Sequence, residues 1–472
     1  MSSLLKLPPE LVFAITAYLE LNDATNLLST NATLYSLSRA KDFWLKALDR
    51  MRTVHRQLMP SPPGVVLPDL EEPTLRSYAA RAFSLHRNWS SARPKPVSVR
   101  TIPFNENIDS TIACAIPGTP LLVLTTDHKS VQCRDTSSDT GAVLASLQLV
   151  DAADTDTAYR IGRSPPLHRH QQTLFAFAGS MSGRRRGAAV VALDYRLAPW
   201  GEWEAALTLA HTFSTDVLPD PGMTPAGFPD AAVSVNYACI VYHRIITRLP
   251  VLFYWPLDGS SAAPEIVELS TRLGLGPTVM AYDGAFYVSG VDNPALICVR
   301  PPANTITHIL PPIDVASPRA TIRTPNPITR LFLPTAAGIA QIALTPGGAL
   351  SFCPSPTGVQ LSQPAMYAPP SGHPGTRITR IWPSTTGRSA VILCCAPTGM
   401  MGSLHWRLEL VRYHEDEPTL SVHALSLNSA LSLPSNTVHM RPLPIELVVD
   451  DTRGVLYVAQ RGREGMLVVE YA

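Results

Sequence analysis

Leu7-Pro8-Pro9-Glu10-Leu11-Val12-Phe13-Ala14-Ile15-Thr16-Ala17-Tyr18-Leu19, then Asn22-Asp23-Ala24-Thr25-Asn26-Leu27-Leu28, then Phe43-Trp44, is the stretch on which the reading of this chain turns. Leu11, Ile15, Tyr18 and Leu19 recur at i, i+4, i+7 and i+8, one stripe of an amphipathic helix. Pro8 and Pro9 stand at its start, where a missing N–H costs nothing, and Glu10 suits the positive end of the helix dipole. Asn22 is placed as the N-cap of a second helix carrying Ala24, Leu27 and Leu28. Leu34, Leu37 and Ser38 mark a third, before the Phe43-Trp44 pair. Helices this short do not persist alone and must pack together. So small a bundle, with surplus apolar residues, is suited to completing its core on another protein.

The run resembles an F-box, the helical module that docks a receptor onto Skp1 in a cullin-RING ubiquitin ligase. Taken with its β-rich remainder, the chain is similar to fungal-type F-box proteins that carry a C-terminal β-propeller-like domain. The resemblance covers residues 4–48, at Leu7-Pro8, Glu10-Leu11, Ile15, Leu19, Asp23, Leu27 and Trp44. Ala24 stands where the family often has Leu, and Thr30-Asn31-Ala32-Thr33-Leu34 where it often has a Val-Cys-Arg-like stretch. The resemblance implies that Leu7, Pro8, Leu11, Ile15, Leu19, Leu27 and Trp44 make the Skp1 contact or support it directly. It also implies that cullin and RING subunits are reached through Skp1, and that the remaining chain holds a protein to be ubiquitinated.

With 38 basic and 37 acidic residues the net charge is +1, so no strong field exists to hold nucleic acid or an acidic membrane. Only 16% of residues are charged and 45 are proline, which suits a folded, turn-rich chain. No apolar run reaches membrane-spanning length, and Met1-Ser2-Ser3-Leu4-Leu5-Lys6 lacks the build of a signal peptide. The 7 cysteines include no Cys-x-x-Cys pair, which favours reduced thiols and a cytoplasmic or nuclear setting. Asn31-Ala32-Thr33 and Asn88-Trp89-Ser90 match the glycosylation pattern by chance on this reading.

Three regions are expected: a helical domain over 1–50, a linker with a helix over 51–96, and a β domain over 97–472. Met59-Pro60-Ser61-Pro62-Pro63-Gly64 breaks the structure. From Pro73, the stripe Leu75, Tyr78, Ala79, Ala82, Phe83 and His86 predicts a helix ending in Asn88-Trp89, a stiff spacer. Beyond residue 97, short runs such as Leu121-Leu122-Val123-Leu124 and Val251-Leu252-Phe253-Tyr254-Trp255 alternate with Pro, Gly, Asp and Asn turns. The one helical candidate there is 202–210. At roughly 40–50 residues per four-stranded blade, this length fits about seven blades of a degenerate propeller, with packed β-sandwiches the alternative. The fold class is therefore α+β multidomain. Asp283-Gly284-Ala285-Phe286-Tyr287-Val288 resembles Arg453-Gly454-Val455-Leu456-Tyr457-Val458 as a turn-then-strand unit, and the Pro-rich stretches 301–327 and 354–374 read as long loops.

No constellation carries chemistry. His168-Arg169-His170 places two imidazoles on one strand face but has no third ligand at metal spacing. Arg184-Arg185-Arg186 reads as a solvated hairpin tip, His414-Glu415-Asp416-Glu417 as a charged turn, and Cys394-Cys395 as buried sheet residues. There is no P-loop, Gly-x-Ser-x-Gly or His-Glu-x-x-His. The expectation is a non-catalytic adaptor without cofactor or metal. A propeller hydrolase with an appended helical module, and a Skp1-binding scaffold outside a cullin complex, are the alternatives.

Overall fold

The computed structural model describes residues 6–472 except 56, 104–109, 127, 151–156, 163, 165, 182–185, 199, 215–224, 245–248, 261–262, 271–276, 283, 290–295, 310–328, 336–337, 346–347, 356–357, 361–376, 387–388, 399–402, 415–418, 426, 428–444 and 461–464. Most of the two Pro-rich stretches and the Glu415–Glu417 turn therefore lie outside the described residues, as do Arg184 and Arg185. Arg186 opens a strand.

The chain is an N-terminal helical unit followed by a seven-bladed β-propeller. The helices are α1 (Pro9–Thr16), α2 (Leu21–Ser29), α3 (Ala32–Ser38), α4 (Lys41–Thr53) and α5 (Glu72–Trp89). Six antiparallel sheets come next in chain order, over 110–148, 157–214, 225–268, 278–309, 329–360 and 377–425. The seventh combines Ile445–Asp450, Val455–Gln460 and Gly465–Glu470 with Ser98–Pro103, the first strand of the domain. That strand pairs antiparallel with Gly465–Glu470, from Ser98 opposite Glu470 to Pro103 opposite Gly465, and so closes the ring.

The cores lie between sheets, which is why the strands read as near-continuous apolar runs. Along Arg186–Leu197, Ala189, Val191, Leu193 and Tyr195 pack toward the first blade, while Ala188, Val190 and Ala192 pack toward the third. A sheet buried on both faces in a closed cycle excludes the sandwich alternative. Residues 203–210, expected as a helix, belong to the strand Trp203–Ser214. There Trp203, Ala205 and Leu207 face the core and Ala206 and Thr208 face solvent, a period of two that the apolar content had masked.

α5 is shared by two cores. Leu75 and Ala79 lie in the helical unit with Val12, Leu28, Trp44 and Leu48. Three turns on, Leu85 and Trp89 lie in the core between the sixth and closing blades. Trp89 meets Tyr471 edge-on, with ring centroids 6.3 Å apart. Asn88 Nδ2 donates to Lys95 O at 2.7 Å and to Tyr471 O at 2.8 Å, and its Oδ1 accepts from Lys95 N at 2.9 Å. The amide of the Asn88-Trp89-Ser90 pattern is thus engaged within the fold. Ahead of α5, His170 Nδ1 lies 3.1 Å from Gly64 O, which ties the 59–64 break to the second blade. α4 runs from Lys41 to Thr53, across residue 50, and α5 contributes to the cores on both sides of it.

The two similar turns of the sequence differ in their surroundings. Gly284 and Gly454 both have φ of +69° and lead into the second strand of their blades. A Cβ on Gly284 would meet open space, whereas one on Gly454 would overlap Leu85 Cδ1. Gly284→Ala should cost about 1 kcal/mol of stability, the conformational term alone, and Gly454→Ala about 3 kcal/mol, because the buried Leu85 side chain must also shift. Chemical denaturation of both variants checks this; equal losses would mean that Leu85 is not seated on the turn.

Candidate docking surface

α1 begins at Pro9, with Pro8 extended at the N-cap and Glu10 in the first turn. Val12 and Thr16 face the core, and Thr16 Oγ1 donates to Phe13 O at 3.0 Å. The stripe read from the sequence points the other way: Leu11 is 50% exposed, Ile15 39% and Tyr18 87%. Pro8 is exposed beside it. The seven residues singled out for partner contact therefore separate into three groups. Pro8, Leu11 and Ile15 face solvent; Leu7, Leu19 and Leu27 are half-buried; Trp44 is buried.

What holds α1 in this orientation is α4. Trp44 Nε1 donates to Ser38 O at 2.7 Å, fastening the end of α3. Phe43 packs edge-on to Trp44 at 4.9 Å, and the Arg76 guanidinium of α5 lies 5.7 Å over the Trp44 ring. Arg50 donates to Leu19 O at 2.6 Å, capping the turn after α1. Asn22 is not the N-cap of α2, which begins one residue earlier behind Glu20. The cap that does form is Asn31, whose side chain accepts from Thr33 N at 2.8 Å and starts α3; an Asn before Ala-Thr-Leu was the available signal.

On the opposite side of α1, a cavity of about 490 Å³ opens between α1, α4 and α5. Phe13 and Thr16 of α1 line it with Ala17 and Glu20 of the turn that follows and Leu21 and Ala24 of α2, and α4 presents an i, i+3, i+4, i+7 face of Phe43, Lys46, Ala47 and Arg50. From α5 come Phe83, His86, Arg87 and Ser90. His55 and His86 stand 4.6 Å apart at one end. Burial, then the neighbouring His55 and Arg412, pushes His86 down to about 4; burial and Arg50 lower His55.

Among the described residues the fully buried carboxylates lie in the ring, at Asp450-Asp451 and at Glu409, which pairs with Arg407. Asp451 accepts from Ser384 Oγ and Thr386 Oγ1, both at 2.6 Å, from Ser389 Oγ at 3.2 Å and from Thr385 Oγ1 at 3.3 Å, joining the sixth and closing blades. Asp450 Oδ1 accepts from Thr452 Oγ1 at 2.6 Å and from the Thr452 and Arg453 amides. Arg453 reaches Thr119 O of the first blade at 2.8 Å and Tyr457 Oη at 3.2 Å, and its own carbonyl accepts from Arg81 of α5. These groups act as inter-blade fasteners. Burial pushes Asp450 up to about 6 against the pull of Arg453 and Thr452.

Among the described residues no three His, Cys, Asp or Glu side chains gather as a metal site. His168 Nδ1 contacts Thr173 Oγ1 at 2.9 Å and is pushed down to about 4 by burial, while His170 faces Gly64. Cys394 and Cys395 are buried in one strand, and Cys395 joins the core toward the closing blade. Burial raises the Cys114 and Cys239 thiols well above the ordinary range and pushes Cys133 up to about 12, so these thiols pack rather than react.

The architecture defines a β-propeller bearing an N-terminal helical unit. No family model matches the chain, and no curated protein does. Among solved structures, the WD40 domain of SCAP from fission yeast is similar over 76% of this chain and 82% of its own, at 8% identity and a TM-score of 0.37. The C-terminal WD40 domain of Sif2 is similar over 79% and 97%, at 9% identity and 0.39. The Trypanosoma rangeli sialidase is similar over 81% of this chain but 60% of its own, at 12% identity and 0.37. At such identities nothing about activity passes from these proteins to this chain.

Asp450 yields a pH test. Its folded-state pKa of about 6 lies above the ordinary 3.8, so between these values the folded chain keeps a proton that the unfolded chain has lost. Its contribution therefore falls as pH rises through this window. His86 and His168, lowered from 6.5 to about 4, act oppositely, so the Asp450 part appears only by difference. Asp450→Asn keeps the acceptor oxygen and removes the titration. From pH 4.5 to 6.5 the wild type should lose on the order of 2 kcal/mol relative to the variant. Parallel stability profiles would contradict this.

Proposed function

We propose that this chain is the substrate-recognition adaptor of an SCF-type ubiquitin ligase, binding Skp1 through its N-terminal helices and a target protein through the propeller. The observation that carries the reading is the outward apolar stripe of Leu11 and Ile15 on α1 and Tyr18 just beyond it, on a bundle whose buried core takes Val12 of α1, not these residues, against α4 and α5. Apolar residues in line on one exposed helix face are suited to packing against a second protein. In this reading Pro8, Leu11 and Ile15 touch Skp1, Leu7, Leu19 and Leu27 flank the contact, and Trp44 supports it from inside. The chain performs no chemistry. Skp1 brings the cullin and RING subunits, and rate enhancement comes from holding a target lysine near the loaded conjugating enzyme. Because α5 belongs to both cores, the target would be held at a set distance and angle from Skp1.

Removing residues 1–50 would also uncover Leu75 and Ala79, so point variants are the cleaner test. Ile15→Asp and Leu11→Asp alter exposed positions and should leave the main thermal transition in place. Burying an unpaired carboxylate against Skp1 costs several kcal/mol, so affinity should fall by about a hundredfold or more. Trp44→Ala should instead melt the helical unit. Retention of Skp1 binding within about threefold of wild type in both aspartate variants would reject the assignment of this face. Skp1 capture without a cullin in the same pull-down would favour a scaffold.

A further inference from the structure

Of the residues that the docking reading assigns, Leu19 alone lines the cavity between α1, α4 and α5. At 100° per residue, the positions of α1 that line it lie opposite Leu11, Ile15 and Tyr18, so an occupant would leave that stripe free. We propose that this cavity is a binding site for a small amphiphilic acid, a molecule with an apolar body and one anionic group.

The size and lining argue for it. A volume of about 490 Å³ lies within the range of small-molecule sites. Three phenylalanines from three helices form the floor: Phe13, Phe43 and Phe83. Phe13 and Phe43 have centroids 6.1 Å apart with planes tilted by 32°, so together they form an apolar, angled wall. The rim is predominantly cationic. Lys46, Arg50 and Arg87 stand there against the single carboxylate of Glu20. Lys46 Nζ lies 5.2 Å over the Phe13 ring, where floor and rim meet. An apolar floor beneath a cationic rim matches an alkyl or aryl body whose acid group stays at the mouth. A neutral apolar ligand would leave the rim unanswered, and a cationic one would be repelled. Seated there, the ligand would touch the docking helix and the spacer helix together, and would stabilise the helical unit by mass action.

The test needs no Skp1, so its outcome is separate from that of the docking reading. The full chain is titrated with 1-anilinonaphthalene-8-sulfonate, and bound dye is competed with laurate or with dodecyltrimethylammonium. The expected result is saturable single-site binding, displaced by laurate and not by the cationic amphiphile. Lys46→Glu combined with Arg87→Glu changes exposed side chains and should weaken binding by about tenfold or more with the thermal midpoint kept. Ala17→Trp, at an exposed position on the mouth, should block binding without altering charge. Equal displacement by both amphiphiles, or binding unchanged in both variants, would overturn the proposal. So would an acidic peptide that protects Lys46 and Arg87 from chemical modification where laurate does not.

Discussion

One side-chain amide joins the parts of this molecule. Asn88 bonds the chain leaving α5, through Lys95, and the chain completing the ring, through Tyr471. The two strands adjoining these bonds, Ser98–Pro103 and Gly465–Glu470, are paired with each other. The end of the helical unit, the start of the propeller and its last strand therefore meet around a single polar group. Beside it Trp89 and Leu85 are buried in the core between the sixth and closing blades, each contributing about 1.5–3 kcal/mol. The closing blade is accordingly a mounting point, and its turn at Gly454 is shaped to admit Leu85.

The same blade carries the polar fasteners. Asp451 gathers four hydroxyls from the sixth blade, and Arg453 reaches a carbonyl of the first. Interdigitated apolar side chains hold neighbouring sheets along Arg186–Leu197, and Asp230 of the third blade accepts from Val279 N of the fourth at 3.0 Å. Hydrogen-bonded carboxylates define register and angle where apolar packing tolerates sliding. At the closing blade such bonds gather at the seam that also seats a helix.

Much of the fold was legible because the propeller's signal is repetitive. Strands such as Leu121–Thr126 and Pro250–Pro256 are buried on both faces, and so appear as apolar runs between turn residues. Trp203–Ser214 was harder, since an outer strand with scattered Ala and Leu satisfies a helical period as well. In α1 the stripe was legible but its direction was not. Leu11, Val12, Phe13 and Ile15 give the helix apolar residues on nearly every side, so periodicity cannot choose the inward face. The choice is made by α4, through Phe43 and Trp44, at a distance the local pattern does not encode. The Asp450-Asp451 cluster was hidden for a related reason: its partners Ser384, Thr386 and Ser389 are ordinary turn residues until the ring brings them together.

Ring closure also has a kinetic side. Ser98–Pro103 finds its partner in Gly465–Glu470, so the pairing spans nearly the whole propeller in sequence. Contacts of such separation form late, because the entropy of bringing the chain ends together must be met before the pairing rewards it. Leu85 and Trp89 wait on the same event, since Leu456, Val469 and Tyr471 complete their core. Until then Leu85 and Trp89 lack the closing-blade part of their core and the helical unit sits on an unfinished base. An incompletely folded chain would therefore present its first helices without a fixed bearing toward the rest. Orientation in this molecule is acquired at the last step of folding rather than inherited from the first.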